Sequence, residues 1–114
     1  MTDINTAVVA GRLVKNAEFR QVGSSINVKF TIAVNKSRKV NDQWEDETSY
    51  VDIVGWGRLA DNMQGRLPQG VKVTVAGSLK QDRWEQNGEK RSKLYVLAEQ
   101  IDVQAPKEQA NGSW

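Results

Sequence analysis

The feature that most constrains this chain is an alternation of period two. From Ile26 to Val34 the even positions are apolar (Ile26, Val28, Phe30, Ile32, Val34), while Asn27, Lys29, Thr31 and Ala33 lie between them. Successive side chains of an extended chain leave on opposite faces, so this run reads as a strand with one buried and one wet face. Val71, Val73, Val75 and Leu79 alternate with Lys72, Thr74, Ser78 and Lys80 in the same way, with Gly77 in register where a bend or close packing is expected. Weaker patterns predict strands over 6–13, 49–56 and 92–103, the last broken near Gln100. About five strands are expected.

One segment carries the other period. Leu59, Met63 and Leu67 recur at i, i+4 and i+8, the spacing of one helical face, and Pro68 with Gly70 ends the pattern. That places one short helix between the third and fourth predicted strands. The polar stretches 35–48 and 80–93 read as long hairpin arms, the second turning at Asn87-Gly88, a dipeptide suited to a two-residue turn. Five short strands, one helix and two long arms describe an all-β fold, a five-stranded OB-fold Greek-key barrel. An SH3-like barrel would supply the strands but not ordinarily the helix. At 114 residues the chain is long enough for one core, predicted over 1–103, and the polar, aperiodic 104–114 reads as a short flexible tail.

Composition removes much catalytic chemistry. With no Cys and no His there is no thiol nucleophile, no Ser-His-Asp triad and no imidazole or thiolate zinc site. Asp52, Asp61 and Glu99 are not spaced to form a carboxylate pair, and no metal loop or phosphate loop is present, Gly55-Trp56-Gly57 fitting neither glycine pattern. No enzyme activity, metal or cofactor is therefore expected. No apolar run approaches the roughly 18 residues of a membrane helix, and residues 1–10 lack a secretory pattern, so a cytoplasmic location and no membrane partner are expected.

The functional candidates lie on the third predicted strand and the arms. Tyr50, Asp52, Val54 and Trp56 share one face of that strand, and Val51 and Ile53 on the other suffice for the core. The two aromatics are left for a second hydrophobic contact or for stacking on a ligand. In the second arm Lys80, Arg83, Lys90, Arg91 and Lys93 exceed Asp82, Glu85 and Glu89 by two charges, as large an excess as the whole chain's net +2. Trp84 sits among them, either pinning the hairpin across its strands or serving as a base-stacking platform with cations for phosphates. In the first arm Lys36, Arg38 and Lys39 precede Trp44, which stands among Asp42, Glu45, Asp46 and Glu47. Its basic limb reads as a phosphate contact or a solvated charge run, and Trp44 as packing locally.

In order along the chain, Val8-Val9-Ala10-Gly11-Arg12-Leu13, Ala17-Glu18-Phe19-Arg20, 28–35, Glu47-Thr48-Ser49-Tyr50, Gly55-Trp56-Gly57-Arg58-Leu59-Ala60, Val75-Ala76-Gly77-Ser78-Leu79, Arg83-Trp84 and Asn87-Gly88 resemble the bacterial single-stranded DNA-binding protein family. Ala17 to Arg20 looks like that family's P-E-x-R turn. The likeness runs from about Asn5 to Val103 and implies an OB fold, single-stranded DNA as partner in replication, recombination and repair, and a homotetramer. By resemblance Trp56, Trp84 and Tyr50 fall at stacking positions and Arg58, Lys80 and Arg83 at basic ones. Three departures stand out: Arg38 where an aromatic is frequent, Asp82 where a basic residue is common, and an end at Asn111-Gly112-Ser113-Trp114 in place of an acidic tail. Tail-dependent recruitment of enzymes is accordingly not expected. At Arg38 a phosphate contact is favoured over stacking, because Lys36 and Lys39 share its limb. A transient OB-fold adaptor of primosomal or cold-shock type is the alternative, followed by an enzyme or a pure protein-interaction barrel, either of which would leave oligonucleotides unbound at low salt.

Overall fold

The computed structural model describes residues 2–104. The elements run β1 (Ala7–Leu13), β2 (Glu18–Val22), β3 (Ser25–Val40), β4 (Gln43–Trp56), α1 (Gly57–Asn62), β5 (Lys72–Gln86) and β6 (Glu89–Val103). The strands hydrogen-bond in the order β1-β5-β6-β4-β3-β2, and β1 also pairs with β3, which closes five strands into the expected barrel. The helix falls between the third and fourth of those five. The predicted tail from 105 onward lies outside the described residues, while the Gln104 amide is tied to the Lys72 carbonyl at 2.9 Å.

The alternating residues do what their period demands. Val28, Ile32, Val73 and Val75 are fully buried, Phe30 nearly so, and they meet Ile53, Val96 and Ile101 from the neighbouring strands. Ala60, Met63 and Leu67 bury against the same core from the helical segment. Here the predicted helix needs correcting. α1 stops at Asn62, Met63 caps it, and Gly65 at φ 77° turns the chain, so Leu67 reaches the core from the following loop. Its carbonyl accepts the Ala17 amide at 3.0 Å.

Two further corrections concern the strands. The segment read as a turn, Ala17 to Arg20, runs into β2, which pairs antiparallel with β3 from Glu18↔Lys29 to Val22↔Ser25. β1 takes up the next stretch of β3 at Arg12↔Ala33 and Leu13↔Ile32, so β1 and β2 lie end to end along one edge. Nor is β6 broken near Gln100: the register moves from Ala76↔Gln100 to Gly77↔Ala98, a bulge that leaves Glu99 without an opposite residue. Gly77 is required at that point, since a Cβ there would overlap the Leu97 carbonyl. Beyond β1 the Asn5 side chain prolongs its pairing with β5, donating to the Leu79 carbonyl and accepting the Leu79 amide, each at 2.8 Å.

Both arms are ladders to their tips. β3 and β4 pair out to Val40↔Gln43, and β5 and β6 out to Gln86↔Glu89. Asn41-Asp42 and Asn87-Gly88 make the turns with both central residues at positive φ, the geometry that suits the twist of a two-residue hairpin.

Candidate nucleic-acid interface

Directly opposed residues of an antiparallel pair share a face, so the register assigns each arm residue to a side. In β3 and β4 the core-side pairs Val28↔Gly55, Phe30↔Ile53 and Ile32↔Val51 run outward into Lys36↔Glu47 and Arg38↔Glu45. The other side, continuous with the barrel exterior, holds Asn27↔Trp56, Lys29↔Val54, Thr31↔Asp52, Ala33↔Tyr50 and Lys39↔Trp44. In β5 and β6 the exterior side holds Lys80↔Tyr95, Asp82↔Lys93 and Trp84↔Arg91, while Arg83↔Ser92 and Glu85↔Lys90 lie on the reverse.

These exterior faces meet in one groove of about 710 Å³. Of the candidates, Tyr50, Trp56 and Lys93 line it. Lys80, Trp84 and Arg91 share the face that carries Asp82, Lys93 and Tyr95 into the groove, so they extend it along the arm. Lys36, Arg38, Arg83 and Lys90 sit on the reverse faces of the two arms, and Arg58 lies in α1 outside the groove lining. Arg38 Nε pairs with Glu47 at 3.7 Å, and the Arg83 guanidinium donates to Gln81 Oε1 at 3.2 and 3.3 Å.

The aromatics of this face are open to ligand. Tyr50 is 69% exposed, Trp56 45% and Trp84 44%, so none of them is consumed by the core. Trp44 departs from its expected local packing: it is 71% exposed and lies opposite Lys39. Tyr50 and Trp56 stand six residues apart on one strand, about 20 Å at 3.4 Å per residue, a span for several nucleotides.

Sequence reasoning overlooked four groove residues, Lys15, Arg20, Lys29 and Tyr95. Lys29 was legible on the wet face of the alternating run, and Arg20 stood in a motif read only as a turn. Tyr95 gave no signal, since it sits in an apolar stretch of β6. The four basic residues of the groove, Lys15, Arg20, Lys29 and Lys93, face three carboxylates, Glu18, Asp52 and Asp82. Two of those carboxylates are engaged: Asp52 accepts from the Thr31 hydroxyl at 2.6 Å and pairs with Lys93 at 3.3 Å, and Asp82 accepts from the Tyr95 hydroxyl at 3.3 Å. Burial raises the Tyr95 phenol above its ordinary pKa, and the charge and hydrogen bond of Asp82 add to the effect.

The single-strand binding protein family model matches residues 4–104. The chain belongs to that family. Among relatives, the single-stranded DNA-binding protein of Treponema pallidum is 38% identical over 104 residues, covering 90% of this chain and 59% of the relative. The chain thus spans about three fifths of that relative's length. The Borreliella burgdorferi single-stranded DNA-binding protein is 36% identical over 106 residues, 90% of this chain and 71% of the relative. Among solved structures, the small single-stranded DNA-binding protein from Streptomyces coelicolor superposes with a TM-score of 0.74 at 26% identity, covering 91% of this chain and 96% of that one. A Plasmodium falciparum SSB complex with ssDNA shares the fold, with a TM-score of 0.80 at 19% identity, 90% of this chain and 95% of that one. Single-strand binding protein members and this chain therefore share one barrel. No helix among the described residues is long and apolar enough to cross a membrane.

Proposed function

We propose that this chain binds single-stranded DNA with little sequence preference, as a non-enzymatic partner of the strand in replication, recombination and repair. One observation carries the reading: Tyr50 and Trp56 stand exposed on the exterior face of β4, in a groove with Lys29 and Lys93, while the opposite face supplies the core. Unpaired bases stack on the aromatic rings, and every base offers a π-face, which makes the contact tolerant of sequence. Phosphates are met by Lys15, Arg20, Lys29 and Lys93 in the groove and by Lys80 and Arg91 along the arm. Membership of the family and the names of its relatives support the same partner.

The working form in this reading is a cytoplasmic, nucleoid-associated homotetramer. Val8 on the outer face of β1 is 65% exposed, and a second copy covering it would bury apolar surface that a small barrel leaves in water.

Titration of the intrinsic tryptophan fluorescence with poly(dT) and with duplex DNA tests the proposal. Quenching by the single strand, much weaker binding of duplex and a log-log salt slope of about −0.7 per neutralised phosphate are expected. Equal affinity for both forms would refute it, and binding that is not stoichiometric would favour the adaptor.

A further inference from the structure

We propose that in the free protein Asp52 occupies the place on Lys93 that a strand phosphate takes on binding, so that Asp52 limits how tightly the groove holds single-stranded DNA. This rests on the binding reading above and assigns a determinant of affinity within the same site.

Asp52 lies between Tyr50 and Trp56 on the exterior face of β4, where a phosphate backbone would meet a like charge. Its carboxylate is held from two sides. Thr31, directly opposite on β3, donates its hydroxyl to Oδ1 at 2.6 Å, and Lys93 reaches from β6 to Oδ2 at 3.3 Å. β4 and β6 share just two parallel pairs, Ile53↔Val96 and Val54↔Leu97, so this ion pair bridges the strands where they part into separate arms. Thr31 fixes the carboxylate in place and is a positioning residue.

An ammonium bonds a carboxylate oxygen and a phosphate oxygen in the same way, as a point charge with rotatable donors. A phosphate can therefore replace Asp52 on Lys93 with little rearrangement. The Lys93 side chain is 58% exposed and that of Asp52 36%, which leaves the pair in water's reach and weak enough to exchange. Each strand that binds must break the pair and leave Asp52 uncovered beside the phosphates.

The test is a double-mutant cycle on the full chain, titrated with oligo(dT) at several salt concentrations: wild type, Asp52→Asn, Lys93→Gln and both together. Asn keeps an acceptor for Thr31 and removes the charge. Asp52→Asn should tighten binding about two- to fivefold at low salt, the gain fading as salt screens the pair. Lys93→Gln should cost more affinity in the Asp52→Asn background than in wild type, because in wild type Lys93 must first leave Asp52. Asp52→Ser, read in the same way, serves if Asp52→Asn does not fold. Unchanged or weaker binding by the folded Asp52 variants, or equal Lys93→Gln losses in both backgrounds, would overturn the proposal while leaving the binding reading intact. Failure of wild type to bind oligo(dT) would remove both.

Discussion

Replacing Trp56 or Trp84 by Ala should weaken single-strand binding by roughly 1–3 kcal/mol each if each ring carries a base. Fluorescence or calorimetric titration reads this directly, and since both rings are near half exposed, the melting temperature should move little. A variant that loses stability and affinity together would point to packing as the main role of the ring. Arg38 makes a sharper case, because its sequence neighbours and its register disagree. Lys36 and Lys39 suggested a basic limb, yet β-pairing turns Arg38 to the reverse of the arm beside Glu47 and leaves Lys39 on the groove side. A strand confined to the exterior groove should therefore lose less affinity, and less of its salt slope, from Arg38→Ala than from Lys29→Ala. Isotherms at three or more salt concentrations separate the two, and an Arg38→Ala loss of about 0.7 in the slope would place a phosphate on the reverse face as well.

Within the elements, the closest backbone approach is at Gly77 of β5, opposite the bulge in β6. Gly77→Val would drive a side chain into the Leu97 carbonyl, which is fixed in the β6 ladder and cannot yield, so roughly 1–3 kcal/mol or more should be lost. The urea midpoint should fall with the slope unchanged. Gly77 was legible as a point of bending or close packing because it kept the register of the alternation while lacking a side chain, and the arms were legible from long polar stretches, the second with a turn dipeptide. β2 was not: its one inward apolar residue, Phe19, is too little for a period, and the Gly23-Ser24 turn that joins it to β3 was the available clue. The helix was overextended for a related reason. Burial of Leu67 fits helical spacing by coincidence, since a loop returning to the core can place a Leu where a further turn would have put it. For the site, sequence alone supplied residue types, and pairing register decided which of them look into the groove. Register is fixed by turns and bulges whose effect reaches many residues away, which is why Lys36, Arg38, Arg83 and Lys90 could not be separated from Lys80, Arg91 and Lys93 beforehand.

At the scale of the whole molecule, association is expected to follow from the apolar outer face of β1. Sedimentation equilibrium of the wild type should give a tetramer at micromolar concentration, and Val8→Glu should shift it to smaller species, because a charge at a 65% exposed position burdens the interface far more than the barrel. A wild-type monomer would contradict the assembly. The barrel itself is fastened unevenly. Two long hairpins grow from tight two-residue turns, whereas β1 meets β3 and β4 meets β6 through two residue pairs apiece, thin seams that no tight turn joins. Loop-closure entropy defers pairings that no tight turn nucleates, so the hairpins should form early in folding and the two seams late, along with β1–β5, whose partners lie far apart along the chain. The same seams should be where the native barrel opens first. Amide hydrogen exchange should find lower protection at Val14, whose amide donates to the Thr31 carbonyl at 3.0 Å across the β1–β3 seam, than at Val73 and Val75 in the barrel part of β5, giving the protein a zip that parts beside the groove before the rest of the barrel unfolds.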